Sequence, residues 1–178
     1  WWWAVDNVGV VKPLGELQGS PQATVDVLSD VQGDPQDYKD AVRQLNGMED
    51  KAGALVLNGD LVDDGSQQQW DDFLAAHSEV PHDSGKELWT IGNHEMYGKE
   101  GSKTYLDRFL KYSGQDKPWK EEVVDGVPLI SVNTEFYSDI LRHGKEPFQR
   151  ISKAQRHWLD ECLAYWDATG TPALVFSH

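Results

Sequence analysis

The stretch AGALVLNGD, residues 52–60, decides how the chain is read. It is a short apolar run that passes directly into Asn-Gly-Asp, the pattern of a strand ending in a sharp polar turn. The same grammar recurs on either side. ATVDVLSD (23–30) reads as a strand, and PQDYKDAVRQLNGMED (35–50) reads as a helix, with Tyr38, Val42 and Leu45 at helical spacing. SQQQWDDFLAAHS (66–78) is expected to be helical, capped by Ser66, with Trp70, Phe73 and Leu74 on one face. KELWTIGNHE (86–95) is a third strand, and GSKTYLDRFLKYSG (101–114) a helix stopped by Gly114. WKEEVVDGVPLISVNTE (119–135) reads as a hairpin turning at Asp125-Gly126. A polar loop (136–148), a helix from Ser152 to Gly170 and a last strand, PALVFSH (172–178), follow.

Strands alternating with helices imply a layered α/β fold, in which ligands sit beyond the carboxyl ends of the strands. Residues 1–22 lack periodicity and read as a tail or linker, leaving 23–178 as one domain. The chain does not begin with Met and reads as processed or as part of a longer chain. WWWAVDNVGV lacks the basic start and small-residue cleavage site of a signal peptide, and no apolar run approaches the ~20 residues of a membrane span. A net charge of −14 opposes nucleic-acid binding by bulk electrostatics. Phosphate can still bind where positive charge is local, and a metal ion is one source of it. The single cysteine, Cys162, excludes an intrachain disulfide and reads as a helix core residue, as do Trp70, Trp158 and Trp166.

The strand ends are the main observation. They read SDVQGD, NGDLVDD, GNHE and SH, so each apolar strand delivers Asp, Asn or His to one edge. Asp30, Asp60, Asn93 and His178 packed together without cations would force a carboxylate to protonate, and divalent cations remove that cost. Carboxylate, amide oxygen and imidazole suit Mn, Fe, Zn or Mg-type ions. Glycines in NGD and IGN allow sharp turns and close approach. Taken singly, Asp30 and Asp60 are ordinary cap or turn residues, Asn93 a turn residue, His94 a satisfied polar histidine and His178 a trailing residue. Those ordinary readings would have to hold at four strand ends at once.

LSDVQG, NGD, GNHE and VFSH, in this order, resemble the calcineurin-like metallophosphoesterase superfamily over roughly residues 24–178, and GNHE about thirty residues after GD is a specific pairing. The resemblance implies a layered β-sandwich flanked by helices and a phosphomonoesterase or phosphodiesterase. It also implies two divalent ions, Mn, Fe or Zn, that clamp a phosphate and activate a hydroxide bridging them. Asp30 and Gln32 would bind the first ion, Asp60 both, and Asn93 and His178 the second. His94 would face the scissile phosphate as general acid or orienting donor.

Two departures stand out. Gln32 occupies the position where the family usually carries His, and it offers a weaker, neutral oxygen. The closing Gly-His-x-His motif has no counterpart, so the fold is expected to be C-terminally incomplete, weak or inactive alone, and prone to pack or dimerise through an exposed edge. Asp63 stands where purple acid phosphatases carry Tyr, which excludes their chromophore. Asp63 and Asp64 read as solvated or supporting residues. Arg142 and His143, in the polar loop, are candidate substrate contacts or plain surface. His77 and His157 read as surface or packing residues, and His82 has no assignment. The rivals are a nucleotide pyrophosphatase or cyclic-nucleotide phosphodiesterase with the same metal core, and a module that keeps the fold without turnover. What such family members often are points to a secreted or cell-surface protein.

Overall fold

The computed structural model describes residues 23–135 and 151–178. The 1–22 tail and the loop holding Arg142 and His143 lie outside the described residues. Among those described, the chain order is β1 (Val25–Leu28), α1 (Pro35–Asn46), β2 (Ala54–Asn58), α2 (Gln67–Glu79), β3 (Glu87–Thr90), a short 3₁₀ turn (His94–Met96), α3 (Ser102–Ser113), β4 (Lys120–Val124), β5 (Val127–Ser131), α4 (Lys153–Thr169) and β6 (Leu174–Phe176). The result is mixed α/β with two small sheets and four α-helices. The first sheet is parallel, in the order β1-β2-β3; the second runs β4-β5-β6, with β4 antiparallel and β6 parallel to β5.

The unbroken apolar run of β2 follows from burial on both faces, as in parallel sheets generally. Leu55 and Leu57, with Trp89 of β3, pack against Tyr38 and Val42 of α1, Trp70 and Phe73 of α2 and Phe109 of α3. Ala54 and Val56 point the other way and share a cluster with Leu88 and with Val124, Val127 and Leu129 of the second sheet. Trp70 is fully buried and stacked on Trp89 at 6.4 Å between ring centroids.

Turn chemistry sets the element ends. Asp34 caps α1 by accepting the Gln36 N–H at 2.8 Å, with Pro35 in the first turn. Gly114 and Gly170 end α3 and α4 in the left-handed conformation. Asp125 and Gly126 both have positive φ, as a two-residue hairpin turn needs. Ser66 sits at the cap position of α2, but its hydroxyl makes no capping bond; instead Asp64 accepts the Ser66 N–H at 2.9 Å.

On α4, Trp158, Cys162 and Trp166 are less buried than their reading as core residues implies. Only Gln155 is fully buried on the helix, while these three are half-buried. The helix meets a surface that is partly polar: Trp158 packs beside Trp119, and the Trp166 indole N–H bonds to Glu121. Gln155 reads the main chain of Asn133 with both ends of its amide, at 2.7 Å each, and so fastens α4 to the segment after β5.

Two histidines are structural. His82 is buried and bonded to Asp26 and Ser84, at 2.9 and 2.8 Å. His77 lies between the Tyr38 hydroxyl (2.8 Å) and the Glu87 carboxylate (3.3 Å). Burial by itself would raise the Glu87 carboxyl; the bond and charge of His77, with the Trp89 indole N–H, hold it below its ordinary 4.5. A depressed folded-state value stabilises above the unfolded value and is lost as pH falls through the folded one. The metal-free Glu87→Gln protein is therefore expected to lose less stability than wild type below pH 4.5, as read from urea midpoints at pH 3–7. Parallel acid limbs for the two proteins would refute this assignment.

Candidate metal centre

The carboxyl ends of β1, β2 and β6 converge. Asp30, Asp60 and His178 each offer a ligand atom within 4.8 Å of the others. Asp60 is 4% exposed, whereas Asp30 is open to solvent. Both aspartates are left-handed, at φ 57° for Asp30 and φ 53° for Asp60, a conformation that costs a non-glycine residue about 1–2 kcal/mol and must be held by its surroundings. The hold is visible. The Asp30 N–H bonds to Gly59 O at 3.1 Å, and the Gln32 N–H to Asp60 O at 3.2 Å, so the first two strand ends are laced together.

His178 places Nε2 3.1 Å from Asp60 Oδ2, and its Nδ1 lies 2.9 Å from the Asn58 carbonyl. The Asn58 amide donates to Ser177 O at 3.1 Å, and Thr134 donates to the His178 carbonyl. Gly59, at φ 78°, leaves the space: a Cβ there would lie 2.7 Å from the His178 side chain. Gly92 serves the same end, since its missing Cβ would sit 2.3 Å from Asp60 Oδ1. The close approach these glycines permit is therefore between the site's own residues.

The third strand end supplies Asn93 and His94. The His94 N–H donates to Asp60 Oδ1 at 3.0 Å, its Nδ1 meets the Asp63 carbonyl at 2.8 Å, and its Nε2 stands 4.0 Å from Asp60 Oδ2. Asp63 thus supports His94 through its backbone while its side chain is exposed. Asn93 is half-buried beside this cluster and donates to Tyr97 Oη at 2.7 Å. Gln32 Oε1 is a buried acceptor without a hydrogen-bond partner.

The electrostatics suit a cation. Burial would raise the Asp60 carboxyl, but bonds and charge from His178 and His94 hold it below its ordinary value. Asp60 in turn raises the His178 imidazole to about 9. At neutral pH the imidazolium of His178 therefore offsets the Asp60 charge. Two carboxylates and an imidazole within 4.8 Å of one another form a donor set that fits divalent ions favouring oxygen and imidazole.

Sequence reading missed Glu95. Fully buried, it accepts main-chain N–H bonds from Asp60, Leu61 and Gly92 at 3.0, 2.6 and 2.6 Å. Burial pushes its carboxyl up to about 7 against those three bonds. The available signal was the Gly-x-x-Glu spacing, by which a carboxylate returns to the amide three residues back.

Strand ends from both sheets thus bring two aspartates and an imidazole together in an α/β protein, as a group that could hold a cation. The sequence pattern of the calcineurin-like phosphoesterases matches residues 23–178, and the chain belongs to that family. Membership implies metal-dependent phosphoester hydrolysis. Comparison with curated proteins gives no match. Among solved structures, the chain is similar to a protein of unknown function from Aquifex aeolicus, at 13% identity and a TM-score of 0.40, covering 88% of this chain and 79% of the other. No helix among the described residues is long and apolar enough to cross a membrane.

Proposed function

We propose that the protein hydrolyses a phosphomonoester or phosphodiester with two divalent ions, Mn, Fe or Zn, held by Asp30, Gln32, Asp60, Asn93 and His178. The observation that carries this reading is the convergence of Asp30, Asp60 and His178 within 4.8 Å. Bound ions would supply Lewis-acid polarisation of the phosphoryl group and a more acidic water. The chain's own residues do the rest. Asp60 keeps the acidic edge buried and oriented; the Asp63 carbonyl accepts from His94 Nδ1 and fixes the ring, so that Nε2, in the imidazolium form, would face a leaving-group oxygen as donor. Gln32 in place of an imidazole lowers affinity at the first site, and turnover by these residues alone is expected to be weak.

The test is Mn²⁺ titration by calorimetry on the full-length protein, paired with hydrolysis of p-nitrophenyl phosphate and bis-p-nitrophenyl phosphate. Metal uptake with measurable release of p-nitrophenol is the expected result. Uptake without turnover would favour a module that keeps the fold without catalysis, and no uptake would overturn the proposal.

A further inference from the structure

Glu95 joins two turns that are far apart in sequence. Asp60 and Leu61 N–H groups come from the turn after β2, and the Gly92 N–H from the turn after β3. Both turns carry site residues: Asp60 on the first, and Asn93 with His94 immediately after Gly92 on the second. One oxygen, Oε2, accepts from Asp60 and from Gly92, while the other takes Leu61. A second link runs beside it, because the His94 N–H donates to the Asp60 carboxylate. Main chain and side chain of Asp60 are therefore fixed from the same short segment, His94-Glu95. Left-handed Asp60 would otherwise relax toward a commoner conformation and swing its carboxylate away from Asp30 and His178.

We propose that Glu95 is a positioning residue that sets the spacing between the second and third strand ends and aims Asp60 into the cluster. The inference rests on the metal-centre reading above and adds what holds that centre in register. Glu95 does not touch the cluster's ligand atoms; it acts through the Asp60, Leu61 and Gly92 amides. An amide in its place keeps the shape but turns one oxygen into an N–H donor, which must then face a main-chain N–H.

The test compares wild type, Glu95→Gln and Glu95→Asp in the full chain by two readouts. In metal-free protein, residue-resolved hydrogen exchange is expected to quicken at the Asp60, Leu61 and Gly92 amides in Glu95→Gln, while the Val56 and Leu88 amides keep their protection. In titrations, Mn²⁺ affinity is expected to fall about 10–100-fold, the usual cost of losing a group that orients a ligand. Glu95→Asp keeps the charge with a shorter reach, and an affinity loss of roughly 3–10-fold is expected; it carries the comparison should the amide variant not fold. Uniformly faster exchange along β2 and β3, or affinity within twofold of wild type in both variants, would overturn the proposal. If wild type takes up no Mn²⁺, the metal reading fails on its own, while the exchange pattern still decides whether Glu95 holds the two turns.

Discussion

Asp60→Asn is expected to lower Mn²⁺ affinity by more than about 100-fold and bring phosphoester hydrolysis to the buffer rate, a larger loss than removal of an orienting group produces. The carboxylate meets His94 N–H at 3.0 Å and His178 Nε2 at 3.1 Å, and its partner aspartate approaches from β1. The amide is nearly isosteric and can keep one of these bonds, so the fold survives. What disappears is the negative charge of a side chain only 4% exposed, on which cation binding is proposed to depend. Stability of the metal-free protein is expected to change little: the charged pairing with His178 is lost, and so is the repulsion between Asp60 and the buried Glu95. Calorimetry, urea midpoints and near-UV circular dichroism separate these outcomes. Mn²⁺ affinity within tenfold of wild type would rule Asp60 out as a shared ligand.

Gly92→Ala is expected to destabilise the protein by about 3 kcal/mol, lowering Tm by roughly 6–12 °C, and to spoil the site as well. The added Cβ would lie 2.3 Å from Asp60 Oδ1, 2.4 Å from Asp60 N and 2.9 Å from Glu95 Oε2. Two of these atoms end side chains, but neither side chain is free to move aside. Asp60 N is main chain at the exit of β2, and both carboxylates are buried and multiply bonded. Relief requires the third strand end to retreat from the second, which separates Asn93 and His94 from Asp60. Thermal unfolding and Mn²⁺ titration should therefore fail together. A variant with wild-type Tm and affinity would show that the two turns part without cost.

The scaffold was legible because its signals are local. Apolar runs at β2 and β3 end abruptly in polar residues, and helices with aromatic faces separate them, so Asp30, Asp60 and His178 were legible as strand-end residues; that His178 reaches the aspartates from a second sheet was not. The supporting contacts were not legible, because they join distant segments through backbone atoms. The Gly-x-x-Glu spacing in GNHE hints at the bond to Gly92 but not at those to Asp60 and Leu61, and Asn58 reads as a turn residue until Ser177 is seen beside it. The α4 tryptophans misled for a related reason: spacing reports which side chains share a face, and burial depends on what that face meets. Trp158 and Trp166 meet Trp119 and Glu121 and remain half-buried.

The bonds that seat His178 have a bearing on the order in which the molecule comes together. β1, β2 and β3 pair across gaps of about thirty residues, and their apolar faces close over helices made from the intervening chain. The contact between Asn58 and Ser177 spans 119 residues, and β6 itself is thinly covered, with Leu174 43% and Val175 47% exposed. Long loops are the last to repay their closure entropy during folding and among the first to open in thermal fluctuation. The two aspartates are therefore expected to be in place before the imidazole arrives, an order that pulsed hydrogen exchange during refolding would check. The same seam, where His178 leans on Asn58, is where a partly denatured molecule would part first.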